Sequence, residues 1–245
     1  MKTIIKSFLK MVQTEIKIYM REPVAAMIAI TIPVFFILII MEEIMPMDPY
    51  INYIIPSLIV MMIASNTLYI LPVFITTYRE IKYFKRLNAT PISHLTLMLS
   101  LSIANFVMTM VGILTLLVIG ILFYNAEFKG DIFTFSAGFV LIVLCMTFMG
   151  IFIASLCRTT RSAQGVGGFI FFVLMFFSDI FIPLELQPDW VGDFIAPFLP
   201  TSYGVTLITG LWNGEPLYNF SNDITVLIGF LILMSMASVW KSMRE

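Results

Sequence analysis

Apolar residues in this chain run in long uninterrupted blocks with short polar breaks, near residues 24–41, 51–77, 95–124, 132–156, 165–182 and 224–240. Roughly 20 apolar residues carry a helix across about 30 Å of hydrocarbon, so each block has the length of one spanning helix. The second and third blocks exceed a straight crossing, and Pro56 and Pro72 are the places where the second is expected to break. Residues 2–20 follow a helical period instead. Ile4, Ile5, Phe8, Leu9, Met11, Val12, Ile16 and Tyr19 gather on one half of a wheel, with Lys2, Lys6, Lys10, Gln13 and Lys17 on the other. That pattern suits a helix lying in the membrane interface, or alternatively a surface for a cytosolic partner.

Between the second and third blocks lies a charged island, Tyr78 to Ser93. Glu80, Ile81, Tyr83, Phe84 and Leu87 share one arc of a helical wheel, and Arg79, Lys82, Lys85 and Arg86 fill the opposite one. The pattern predicts a short amphipathic helix running to about Asn88. Thr90 then serves as N-cap and Pro91 as first helical residue of a new span. Residues 183–222 are irregular, with five prolines, Trp190 and Trp212. Their apolar pieces, Trp190–Leu199 and Val205–Trp212, are too short to span and are expected to lie on or dip into the outer leaflet.

Composition agrees with lipid as the main solvent: 60% of residues are hydrophobic and only 12% charged. The 14 Lys and Arg residues set the orientation. With the N-terminus inside, all of them except Lys129 fall on the cytoplasmic side, while ten acids from Glu42 to Asp223 fall outside. The expected architecture is all-α and integral to the membrane. It has an interfacial helix over 1–22, spans one to five within 24–182, an external cap over 183–222, and a sixth span over 224–240. Both termini are cytoplasmic, in a bacterial inner membrane. The net charge of −1 hides this polarity and gives no reason to expect a nucleic-acid partner.

Candidate chemistry is sparse. His94 is the single histidine, and Cys145 and Cys157 have no metal-ligand spacing, so no metal, cofactor or catalytic set is predicted. The stretch Gly165-Val166-Gly167-Gly168 lacks the lysine of a phosphate-binding loop, so ATP would have to be bound by another subunit. Ser57, Ser65, Asn66 and Thr67 are expected to bond between helices, with Asn66 also a candidate for a polar pathway. Asp179, placed at the outer end of the fifth span, is the second pathway candidate. The glycines of 165–168, and more weakly Gly150 and Ala154, offer close helix packing.

Two stretches carry a resemblance. Glu80 to Ser93, with Lys85-Arg86-Leu87 and Thr90-Pro91-Ile92-Ser93, resembles the cytoplasmic segment of ABC-2 type transporter permeases. Phe177 to Trp190, followed by Pro200-Thr201-Ser202-Tyr203-Gly204, is similar to that family's late external segment. The resemblance implies one transmembrane domain over 1–245, a homo- or heterodimer of permeases, and two cytosolic ATPase subunits that carry ATP and Mg. It implies a coupling helix over Arg79–Asn88, with Arg79, Glu80, Ile81, Phe84, Leu87, Thr90 and Pro91 engaging the motor and Glu80 pairing with a basic residue there. Met1–Met20 would be the connecting helix. The implied function is ATP-driven export of a hydrophobic or amphipathic compound such as a drug, antimicrobial peptide or lipid-like molecule. Export of polysaccharide or an ion, and a non-transporting sensor or assembly role, are the alternatives. The sequence departs from the family pattern at Lys82, where a glycine is usual, and at Asp179, where a glycine often follows the serine.

Overall fold

The computed structural model describes residues 2–21, 47–83, 94–180 and 187–242, and every regular element among them is helical. Helix α1 is Lys2–Arg21. Helix α2, Met47–Ala64, passes through a π turn, Ser65–Ile70, into α3, Leu71–Glu80. There follow α4, His94–Tyr124; α5, Ile132–Leu156; α6, Thr160–Phe177; α7, Pro200–Trp212; and α8, Ser221–Ser242. Five helices among the described residues are long and apolar enough to cross a membrane. The pair Val191–Phe198 and Pro200–Trp212, bent by 95°, makes a sixth if it counts as one span. The block at 24–41 lies outside the described residues.

The second span breaks at neither proline as such. Pro56 sits inside α2, and the irregularity falls at Ser65–Ile70, just ahead of Pro72. A proline ring clashes with the carbonyl four residues before it and brings no N–H to bond it. The chain widens into a π turn, in which the Leu71 N–H bonds to Asn66 O. The Thr67 carbonyl is thereby deprived of both helical donors, because Leu71 is engaged elsewhere and Pro72 has none. Two glycines close on this stretch. A Cβ on Gly150 of α5 would overlap Thr67 O, and a Cβ on Gly167 of α6 would overlap Leu68 O. Only residues without a side chain let these backbones meet the exposed carbonyls.

Hydroxyl bonding in this span differs from the expectation. Ser57, Ser65 and Thr67 donate to Tyr53 O, Met62 O and Ile63 O of their own helix. Their donors are satisfied locally, one turn back. Of the four residues expected to bond between helices, Asn66 alone meets another element, through Tyr19.

Helix α6 starts at Thr160, ahead of the expected Gly165, because Thr159 caps it: its Oγ1 accepts from Ser162 N at 3.1 Å, and Ser162 Oγ accepts from Thr159 N at 3.2 Å. It ends at Phe177, short of the expected Ile182, which leaves Asp179 beyond the helix. Helix α7 is not a surface element. Val205, Leu207, Ile208, Leu211 and Trp212 are buried in the main apolar core with residues of α2 and α5.

At this end of the bundle Trp212 meets Phe128 edge-on at 5.2 Å, and Lys129 N donates to Trp212 O at 3.0 Å. Asn52 Oδ1 accepts from Glu127 N at 3.0 Å and from Trp212 Nε1 at 3.4 Å. The loop after α4, the end of α7 and the start of α2 are thus bonded together.

Replacing Gly150 or Gly167 by alanine is expected to lower stability by about 1–3 kcal/mol, since the new methyl meets backbone that cannot rotate away. Gly165, with open space around its Cβ position, is the control and should tolerate alanine. Thermal unfolding of the purified variants checks the contrast.

Candidate functional site

Helix α3 ends where the charged island begins. Ile81 N donates to Thr77 O and Lys82 N to Arg79 O, both at 3.1 Å, closing the last turn. Lys82 then takes φ +56°, in the left-handed region that favours glycine. The start of the expected amphipathic helix is corrected here. Arg79 and Glu80 belong to the spanning helix, and the left-handed residue at Lys82 interrupts any continuous helix from Arg79 to Asn88. Phe84, Leu87, Thr90 and Pro91 lie outside the described residues. Lys82 thus occupies a backbone conformation that glycine adopts without strain.

Arg79 and Glu80 point to two different helix ends. The Arg79 guanidinium donates through Nη1 to Ala154 O and Cys157 O, each at 3.1 Å, at the C-terminus of α5. The Glu80 carboxylate accepts from Thr160 N at 3.1 Å and from Thr160 Oγ1 at 2.7 Å, at the N-terminus of α6. Thr77 Oγ1 stands 3.2 Å from Thr160 Oγ1 and completes the group. A helix carries partial negative charge at its C-terminus and partial positive charge at its N-terminus, so the cation and the anion each meet the opposite sign. Ile81 is half exposed beside this junction.

A second polar set joins α1 to the spans. Tyr78 Oη donates to Glu15 Oε2 at 2.6 Å, and Tyr19 Oη donates to Asn66 Oδ1 at 3.0 Å. Asn66 Nδ2 is taken by Met62 O at 2.9 Å, so both ends of this fully buried amide are occupied. Around these bonds Met11 packs with Leu71, Ile75 and Leu97, and Tyr19 with Ile70 and Met108. The apolar face of α1 therefore covers α3 and α4, while Lys10, Gln13 and Lys17 stay exposed and Leu9, assigned to the apolar half, is exposed as well. Burial raises the Glu15 carboxyl above its ordinary 4.5, and the Tyr78 hydrogen bond offsets part of that rise.

Asp179 lies in the turn after α6, half-buried, and its carbonyl accepts from Tyr53 Oη at 2.8 Å. The next residue back, Ser178, accepts from Thr201 Oγ1 at 2.7 Å. These bonds hold the turn against Tyr53 of α2 and Thr201 of α7, with Asn66 more than about three helical turns further along the second span than Tyr53. The two pathway candidates are therefore not brought together. Sequence reasoning missed Thr77, Thr160, Glu15 and Tyr78. A signal for Thr160 was present in Thr159-Thr160-Arg161-Ser162, whose hydroxyl spacing is that of a capped helix start.

The family model of the ABC-2 type transporter matches residues 6–212, most of the chain. The chain belongs to the ABC-2 type transporter family. It is a multi-pass membrane component of a transporter. No curated protein matches the chain. The matched stretch of this ABC-2 chain takes in the Arg79–Glu80 junction, the α1 contacts and α7, and stops at the last residue of α7.

Two outcomes follow for this ABC-2 protein. Lys82→Gly should raise thermal stability by about 0.5–1 kcal/mol by removing a left-handed non-glycine residue, whereas Lys82→Ile should lower it. For Glu15, a raised folded pKa means that the unfolded chain gives up the proton first as pH climbs. Stability should therefore fall as pH rises from 4.5 towards the folded value, and Glu15→Gln should flatten that slope in unfolding measured across pH.

Proposed function

We propose that this chain is the permease of an ATP-driven exporter. Two copies, or this chain and a related one, form the membrane core, and two cytosolic ATPase subunits drive it. The cargo is hydrophobic or amphipathic and leaves by alternating access, with the inner and outer faces of the dimer opening in turn.

One observation carries the cargo class. Between their end turns, the described spans contain no charged side chain; Asp48, Arg79, Glu80, Arg161, Asp193, Asp223 and Lys241 all sit in first or last turns. Such walls suit a compound that partitions from lipid, whereas ion-coupled sites put charge near the bilayer middle. Family membership supports the motor, because members of the ABC-2 type transporter family typically partner with an ABC ATPase. The basic island supports its place. Arg79 to Lys82 emerge at the end of the bundle that also holds Arg158 and Arg161, and by charge bias this is the cytoplasmic end. Ile81, Phe84 and Leu87 would fill a cleft on the motor, and Thr90-Pro91 would restart the chain into the third span.

Pull-down of the tagged protein from native membranes in mild detergent tests this. An ATPase with a phosphate-binding loop should copurify with wild type and fall about tenfold in a Phe84→Ala, Leu87→Ala variant, the loss expected when an apolar anchor of an interface is removed. Failure of any ATPase to copurify with wild type contradicts the proposal.

A further inference from the structure

Spans two, four and five touch at two separate heights. Near the middle of the second span, the carbonyls of Thr67 and Leu68 lie against Gly150 of α5 and Gly167 of α6. At the basic end, Arg79 holds the last carbonyls of α5, and Glu80 holds the first N–H and hydroxyl of α6. Contact at one height would leave a pivot. Contact at two heights, with backbone approach at one and directed hydrogen bonds at the other, removes it. Between α5 and α6 only Cys157, Arg158 and Thr159 intervene, so the two ends cannot separate far from each other either.

We infer that the second, fourth and fifth spans move as one body during transport, with the Arg79–Glu80 pair and Thr160 as the junction that passes motion from the cytoplasmic island to α6. The inference rests on the proposed motor. The chain leaves α3 through Lys82, so a push on the island reaches α3 directly. Glu80 and Arg79 then deliver it to α6 and α5 in the same displacement. Thr160 is a positioning residue: its hydroxyl and amide are what Glu80 grips. An exposed carboxylate at a helix N-terminus gains little from charge alone. Its two directed bonds to one residue supply geometry, which a rigid coupling requires.

The experiment locks the junction. In the purified permease–ATPase complex, carrying Cys157→Ala to remove the neighbouring thiol, Thr77→Cys and Thr160→Cys replace hydroxyls that lie 3.2 Å apart. Cys145, buried within α5, is left in place. Oxidation should form the disulfide, and ATP hydrolysis of the cross-linked complex should stay within about twofold of the reduced one, because nothing at this junction has to open. A fall of about tenfold that reduction reverses would show that spans two and five part during the cycle and would overturn the inference. So would failure of the disulfide to form.

A second arm reads transmission. ATP with vanadate should change the maleimide-labelling rate of a reporter at the far end of α6, Phe176→Cys. Thr160→Val should shrink that change several-fold while the ATPase still copurifies, and Thr160→Ser should restore it. An unchanged response in Thr160→Val contradicts the inference. Absence of a copurifying ATPase defeats the proposed function instead, and the cross-link still tests the junction in the permease alone.

Discussion

Two helix ends of opposite polarity lie side by side where α5 gives way to α6, and a neighbouring helix meets each with a charge of the right sign. Arg79 and Glu80 are adjacent in sequence and would repel nothing if left in water. Their value is in direction: one turn of α3 presents a forked donor to α5 carbonyls and a two-oxygen acceptor to the α6 start. The end of a helix leaves several backbone groups without partners inside the helix. The junction answers that need for two helices at once. It also fixes where α3 stops, because the next two residues turn away through a left-handed lysine.

The same requirement shapes the middle of the second span. Pro72 removes a donor, the π turn redistributes what remains, and two glycines bring their backbones against the carbonyls left over. In hydrocarbon an unmet carbonyl costs several kcal/mol, so the arrangement constrains three helices rather than one. Helix α1 adds a third layer. It turns Glu15 and Tyr19 inward onto Tyr78 and Asn66, next to the span that ends at the junction.

Much of the fold was legible because hydrocarbon imposes length. The block at 132–156 coincides with α5, and the blocks at 51–77, 95–124 and 224–240 lie within or almost within their helices. Hydropathy cannot see capping, which is why α6 starts at Thr160 instead of Gly165. The glycine packing of Gly167 and Gly150 was legible, since a missing side chain has one main use on a spanning helix. The partners of Asn66 and Glu80 were not. A helical wheel drawn from Tyr78 assumes a continuous helix, and nothing in a lysine codon announces φ +56°. Glu80 therefore reads as an acid offered to the motor until the distant Thr160 is brought beside it. Glu15 was hidden for a related reason: a wheel sorts residues by polarity, and a carboxylate on the buried side becomes intelligible only once Tyr78 faces it.

The central claim is that Glu80 and Thr160 form one directed contact between spans two and five. A double-mutant cycle on thermal unfolding, with Glu80→Gln, Thr160→Val and both together, tests it most directly. If the contact holds, either substitution removes most of the shared loss, and adding the second costs little more. Losses that simply add would show that the two residues act independently, and the junction would have to be abandoned.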